Sequence, residues 1–148
     1  MYYVILFVVM FFVALFFNSM NVLSNNIKDI YISYTLLYSS LYMASTMLWA
    51  HEIVHYLHSK MINYIVFFIG LFMSFFFSFV MRQQLYVDEK QWMKRMISHH
   101  STAVTTTKKL IQKNISPEVF NFAKNIIITQ ENEIDNMKKY LKTIDFSY

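Results

Sequence analysis

The sequence predicts an all-α protein, with three membrane-crossing helices followed by an antiparallel two-helix hairpin. Three observations carry this expectation. Hydrophobic residues make up 56% of 148 positions, with a single Gly and a single Pro to interrupt helices. Residues 1–17 and 61–81 contain no charged side chain, whereas ten of the thirteen Lys and Arg lie after residue 82. Beyond residue 82 the apolar positions recur at the three-to-four spacing of amphipathic helices.

Residues 1–17, MYYVILFVVMFFVALFF, lack both the basic start and the small-residue cleavage site of a signal peptide, so a retained span over about 2–18 is expected. The polar stretch 18–29 then makes a short connection through Asn25, Asn26, Lys28 and Asp29. A second span, about 31–56, is dotted with Ser, Thr and Tyr hydroxyls, which suit a helix that faces other helices. The third, about 61–82, is nearly pure Phe, Ile, Met and Val and exits at Arg82. Residues 1–82 thus form the membrane domain and residues 88–145 the hairpin. Asp88 with Gln91 resembles a capping pair, placing a helix from about Glu89 to Lys113. Asn114 is the expected left-handed stop, Ser116 the next N-cap and Pro117 the first residue of a helix running to about Thr143. A connection of about three residues forces the two helices antiparallel.

Composition also excludes functions. Without cysteine there is no disulfide framework, thiolate metal site or Cys nucleophile. The net charge of +4 is small and its lysines alternate with acids, which removes support for a nucleic-acid partner and leaves the lipid bilayer as the first one. Orientation is pulled by the positive-inside rule. Lys28, Arg82, Lys90, Lys94 and Arg95 on one side outweigh Lys60 on the other, which puts the hairpin in the cytoplasm.

Two constellations carry metal-ligand atoms. Trp92, Met93, Met96, His99, His100 and Ala103 share one broad helix face, and Gln130, Glu133 and Met137 form a stripe on the helix that follows. Imidazole, thioether and carboxylate together suit copper, while imidazole and Glu alone accept zinc or iron. The same spacing also fits half-buried histidines with methionines as core filler. In the second constellation, Met43, Met47, His51 and His55 recur every fourth residue, a ladder of ligands from mid-membrane to surface and a possible second metal site. Its alternative is an interfacial helix end where His51, Glu52, His55, His58 and Lys60 meet water. The segment HEIVH, His51 to His55, matches the zinc-protease pattern but lacks a third ligand, cleft and supporting domain, so no enzyme is expected. The sequon at Asn114 is followed by Pro117 in a tight turn and is not expected to be used.

These residues resemble the DUF305 domains, ferritin-like helical proteins some of which are associated with copper binding and resistance. The pattern appears here as Asp88 and Glu89, Trp92, Met93, Met96, Ile97, Ser98, His99, His100 and Ala103, then Phe122, Ala123, Ile126, Ile127, Gln130, Glu133, Ile134 and Met137. A membrane-bound subgroup precedes one copy of the motif with three hydrophobic spans, the second carrying a stretch matched by Tyr42, Met43, Ala44 and Met47. His51 and His55 stand where members have methionine. Ser98 replaces the usual Pro, and Lys108 an acid. The resemblance implies a copper site of His99, His100, Met96, Met93, Glu133 and Met137, with Asp88 and Gln130 as supporting or capping groups. It also implies half of a ferritin-like four-helix bundle, so that a second protomer or the membrane helices must cover the apolar side, and a homodimer is expected. The family is mostly extracytoplasmic, which opposes the charge count and leaves the side of the hairpin open. The rival expectation is a membrane structural or assembly protein that keeps the fold without metal.

Overall fold

The computed structural model describes residues 1–145, and among these it is all-helical, with no strand. In chain order come α1 (Tyr2–Phe16), the short α2 (Ser19–Val22), a 3-10 turn at Ile27–Asp29, α3 (Tyr34–Ser59), α4 (Tyr64–Arg82), α5 (Glu89–Leu110) and α6 (Pro117–Asp145). The chain forms two compact units. Among the described residues, one comprises 1–18 and 34–86, the other 19–33 and 87–145.

The first unit is a three-helix packing in which α3 contacts both α1 and α4. Two stretches, Tyr2–Val22 and Tyr64–Arg82, are long and apolar enough to cross a membrane. Of the three spans expected, α3 is the one that falls short of this apolar character. This helix has 26 residues, ample for a crossing, but Ser39, Ser40, Ser45, Thr46, His51 and Glu52 lower its apolar character. Its hydroxyls are satisfied within the helix, as Ser40 Oγ and Ser45 Oγ donate to the carbonyls of Leu36 and Leu41 at 2.8 and 2.7 Å. Small residues let α3 and α4 approach closely. Ala44 and Ser45 are fully buried, and a Cβ added at Gly70 would lie 2.9 Å from Leu48 Cβ and 3.0 Å from Trp49 N. Across the same seam Trp49 Nε1 donates to Ser74 Oγ at 3.2 Å.

Two helices of this unit, α3 and α4, are followed by left-handed residues. Lys60, with φ 60°, donates its N–H to the Tyr56 carbonyl, and Gln84, with φ 49°, sits where Leu85 N reaches back to Val80 O at 3.3 Å. Asn63 caps α4 by accepting from Val66 N. The expected bounds 2–18, 31–56 and 61–82 therefore become 2–16, 34–59 and 64–82.

The second unit is the hairpin with residues 19–33 packed on it. Asp88 Oδ1 accepts from Gln91 N at 2.7 Å and begins α5 at Glu89, as the capping pair predicts. Ser116 Oγ, accepting from Val119 N, starts α6 at Pro117. The turn differs from expectation. The α5 helix ends at Leu110 rather than Lys113, its cap Ile111 is right-handed, and Asn114 has no positive φ. Six residues, 111–116, connect the helices. A core of Met93, Ile97, Val104, Ile134, Met137 and Leu141 joins α5 to α6, with Tyr31, Met96, Ile127 and Ile144 packed around it. An exposed bridge from Lys108 Nζ to Glu131 Oε1, 2.8 Å, also spans the pair.

One side of the hairpin is covered by residues 19–33 of the same chain. Ser98 Oγ donates to the Asp29 carbonyl at 2.8 Å, and Ser101 Oγ donates to Asp29 Oδ2 at 2.7 Å. Lys138 Nζ pairs with Asp29 Oδ1, and the carboxylate is buried. Asn25 N donates to Ser101 Oγ and Thr102 Oγ1 to the Met20 carbonyl. A carboxylate out of water in this way is tolerated because a cation and a hydroxyl both satisfy it.

Candidate functional site

The second side of the hairpin carries a groove between α5 and α6 with a volume of about 430 Å³. Its walls are Trp92, Met93, Met96 and His100 from α5 and Glu133, Asn136, Met137 and Tyr140 from α6. The heptad-like spacing of these residues brings them together. Positions 93, 96 and 100 of α5 face positions 133, 137 and 140 of α6, so three thioethers and one imidazole line one space. Met93 and Met137 are buried and belong to the hairpin core as well as to the groove, while Trp92 and Tyr140 form an exposed rim.

The imidazole of His100 is 13% exposed and the facing Glu133 side chain 47%. His100 Nδ1 lies 3.0 Å from Glu133 Oε2 but makes no aligned hydrogen bond, leaving a buried ring nitrogen without a directed partner. Burial pushes this imidazole below its ordinary value of 6.5, against the Glu133 carboxylate, which raises it, and with His99, which lowers it further. The net shift favours the neutral ring, the form that donates a lone pair to a metal. Gln130 Nε2 donates to Glu133 Oε2 at 3.3 Å, one turn along the exposed face of α6.

One expected ligand, His99, and one expected supporting or capping group, Asp88, sit outside the groove. His99 is exposed, its ring edge-on to His100 at 5.9 Å, because at about 100° per residue it falls well round the helix from Met93 and Met96. Asp88 acts as the α5 cap and lines a separate cleft with Glu89, Lys90 and Ile144. Among the described residues no three His, Asp or Glu side chains group as a metal site would require. Any site in the groove would thus depend on its thioethers, and those fit a soft cation through His100, Met93, Met96 and Met137 with Glu133 at the edge.

The second constellation is not gathered to one point. The His51 and His55 rings stack at 6.2 Å with planes 8° apart, so their in-plane lone pairs run side by side rather than converging. His51 Nε2 lies 3.2 Å from Tyr2 Oη, and His55 Nδ1 lies 3.0 Å from the Met61 carbonyl. Met43 and Met47 are 48% and 36% exposed. Glu52, the would-be general base of the HEIVH segment, is fully buried and accepts from Asn63 N at 2.8 Å, pinning the start of α4. The motif is spent on the α3–α4 turn.

Sequence reasoning missed the role of residues 19–33. The signal was present in the repeated hydroxyls Ser98, Ser101 and Thr102 on the α5 face opposite the methionines, which need partners when buried.

Comparison with known proteins locates the hairpin within a family. Residues 82–141 match a domain of unknown function, DUF305. Across nearly its whole length the chain is similar to an uncharacterised protein of Acanthamoeba polyphaga mimivirus, with 31% identity over 138 residues, 93% of this chain and 90% of the relative. No solved structure matches the chain.

Proposed function

Because the chain belongs to one family with that mimiviral protein and carries a DUF305 domain over residues 82–141, we propose that it is a multi-pass membrane protein whose hairpin holds copper for buffering, transfer or resistance. The observation that carries this reading is the convergence of Met93, Met96, Met137 and His100 on one groove. Thioethers bind Cu(I) in preference to harder cations, and a neutral imidazole completes a soft set. Glu133, held by Gln130, offers a charged entry at the rim. Copper supplies the soft Lewis acidity that these donors match. The chain's own residues bind it, partly shield it from water and release it, with no organic substrate to turn over. In the bilayer α3 is a third span, its hydroxyls turned to α1 and α4 rather than to lipid, as its buried Ser40, Ser45 and Ala44 favour. The apolar residues left open on the hairpin, among them Trp92, Phe122 and Tyr140, favour a homodimer. A monodisperse monomer by light scattering in detergent would remove the dimer.

The decisive variants separate ligand from core filler. Met93, Met96 and Met137 changed together to Leu keep volume and apolarity, each swap costing under about 1.5 kcal/mol, while removing every sulfur. Purified protein is loaded with Cu(I), Cu(II), Zn(II) or Fe(II), desalted, and its metal measured by mass spectrometry beside this variant and His100→Ala. About one copper per hairpin, lost in both variants with helicity kept, is the expected result. Equal and negligible retention in all three would make the groove a packing seam. The membrane-assembly reading would then stand in its place.

A further inference from the structure

A second concavity of the hairpin unit carries chemistry that the metal reading does not use. Lys28 from the 3-10 turn, Lys94 from α5, and Lys138 and Lys142 from α6 line a groove of about 310 Å³ with Tyr31 and Leu141. Four lysines from three segments of chain line it, and one of them, Lys138, reaches the carboxylate of Asp29. That carboxylate, Asp29, is buried and already taken by Ser101 Oγ and Lys138 Nζ. Among the described residues the ammonium groups of Lys28, Lys94 and Lys142 have no hydrogen bond or ion pair. Elsewhere on the hairpin Lys108 meets Glu131. Clustered cations repel one another, and in a concave surface their potentials add into a site that favours a multiply charged anion. The Tyr31 and Leu141 side chains add apolar wall to a polar rim.

We propose that this groove is a binding site for a phosphoryl anion, carried either by a small soluble phosphate compound or by the headgroup of an anionic lipid. Lys138 bridges the bound anion and Asp29, while Lys28, Lys94 and Lys142 supply the uncompensated charge. Ammonium groups suit such a ligand because they bind phosphate as point charges without a fixed fork geometry. The site is independent of the methionine groove and needs no metal.

Full-length protein in neutral detergent is titrated calorimetrically with inorganic pyrophosphate and, separately, with dioctanoyl phosphatidic acid, using dioctanoyl phosphatidylcholine as the zwitterionic reference. The variant Lys94→Gln/Lys142→Gln leaves the Lys138–Asp29 pair intact, and Lys109→Gln/Lys113→Gln removes the same charge at the end of α5 and in the connection that follows it. The expected result is saturable binding of a phosphoryl probe that weakens roughly tenfold or more in the first variant, stays near wild type in the second, and falls with added salt. Binding of both probes identifies the phosphoryl group itself as the ligand. Binding of phosphatidic acid alone identifies the lipid headgroup. Absence of saturable binding by either probe overturns the proposal, as does equal weakening in the two variants, since that would reduce the effect to net charge.

Discussion

Replacing Gly70 by Ala tests how α3 and α4 meet. The added Cβ would stand 2.9 Å from Leu48 Cβ, 3.0 Å from Trp49 N and 3.1 Å from Ser45 O, where ordinary contact begins at 3.4 Å. Two of these are backbone atoms and the third is fixed to the backbone, so no rotamer change relieves the clash. The helices must separate by about 0.5 Å. A gap of that size already forfeits roughly a quarter of the dispersion energy across the rest of the seam. Overpacking of this kind costs about 1–3 kcal/mol, against which Ala regains about 1 kcal/mol of helix propensity. The balance is a net loss of roughly 1 kcal/mol, seen as a fall of about 2–4 °C in the thermal midpoint followed by circular dichroism in mild detergent. Gly70→Leu should fail to assemble. A Gly70→Ala protein as stable as wild type, or more so, would refute the close approach, because a glycine facing lipid would show only the propensity gain.

Three further outcomes follow from the hairpin unit. Asp29→Ala leaves Lys138 and Ser101 without their buried partner and should destabilise this unit by roughly 2–4 kcal/mol, with Asp29→Asn costing less because Ser101 keeps an acceptor; denaturant titration of both variants measures the difference. His100 is held below its ordinary value of 6.5 by burial, so the folded state binds fewer protons than the unfolded one. Its contribution to stability is complete above about pH 6.5 and is lost as pH falls from there through the lowered folded value, a slope that His100→Ala should flatten in a pH series of thermal midpoints. Asp88→Ala removes the α5 cap and should cost about 1 kcal/mol, with faster amide exchange confined to the first turn around Gln91.

What the sequence displays depends on the scale at which each feature is encoded. Helix starts were legible because Asp88 and Ser116 declare themselves by side-chain chemistry within three residues. Helix ends were not. Lys60 and Gln84 adopt the left-handed conformation that sequence logic assigns to Gly or Asn, while Asn114, the favoured residue type, does not. The groove was largely legible, since Met93, Met96, His100, Glu133 and Met137 follow from periodicity alone. His99 was misplaced because adjacent residues differ by about 100° and only one of the pair can point inward. Helix α3 is the opposite case, as its polar groups are visible in sequence but their burial against α1 and α4 is a property of the packed unit.

The position of Ser98 bears on the meaning of departures from a family pattern. In the resemblance this position is Pro, and its loss beside two histidines reads as damage to a metal site. The structure puts Ser98 on the other side of α5, buried, with its hydroxyl donating to the Asp29 carbonyl and accepting from Tyr31 N. A proline there would supply neither contact, would remove one helical N–H and would crowd the carbonyl one turn earlier. The serine keeps α5 regular and anchors residues 19–33, which in turn bury Asp29 against Ser101 and Lys138. The substitution therefore acts on the cover of the hairpin and not on its methionine groove. It replaces a helix-bending residue with a tether and leaves every side chain lining that groove in place.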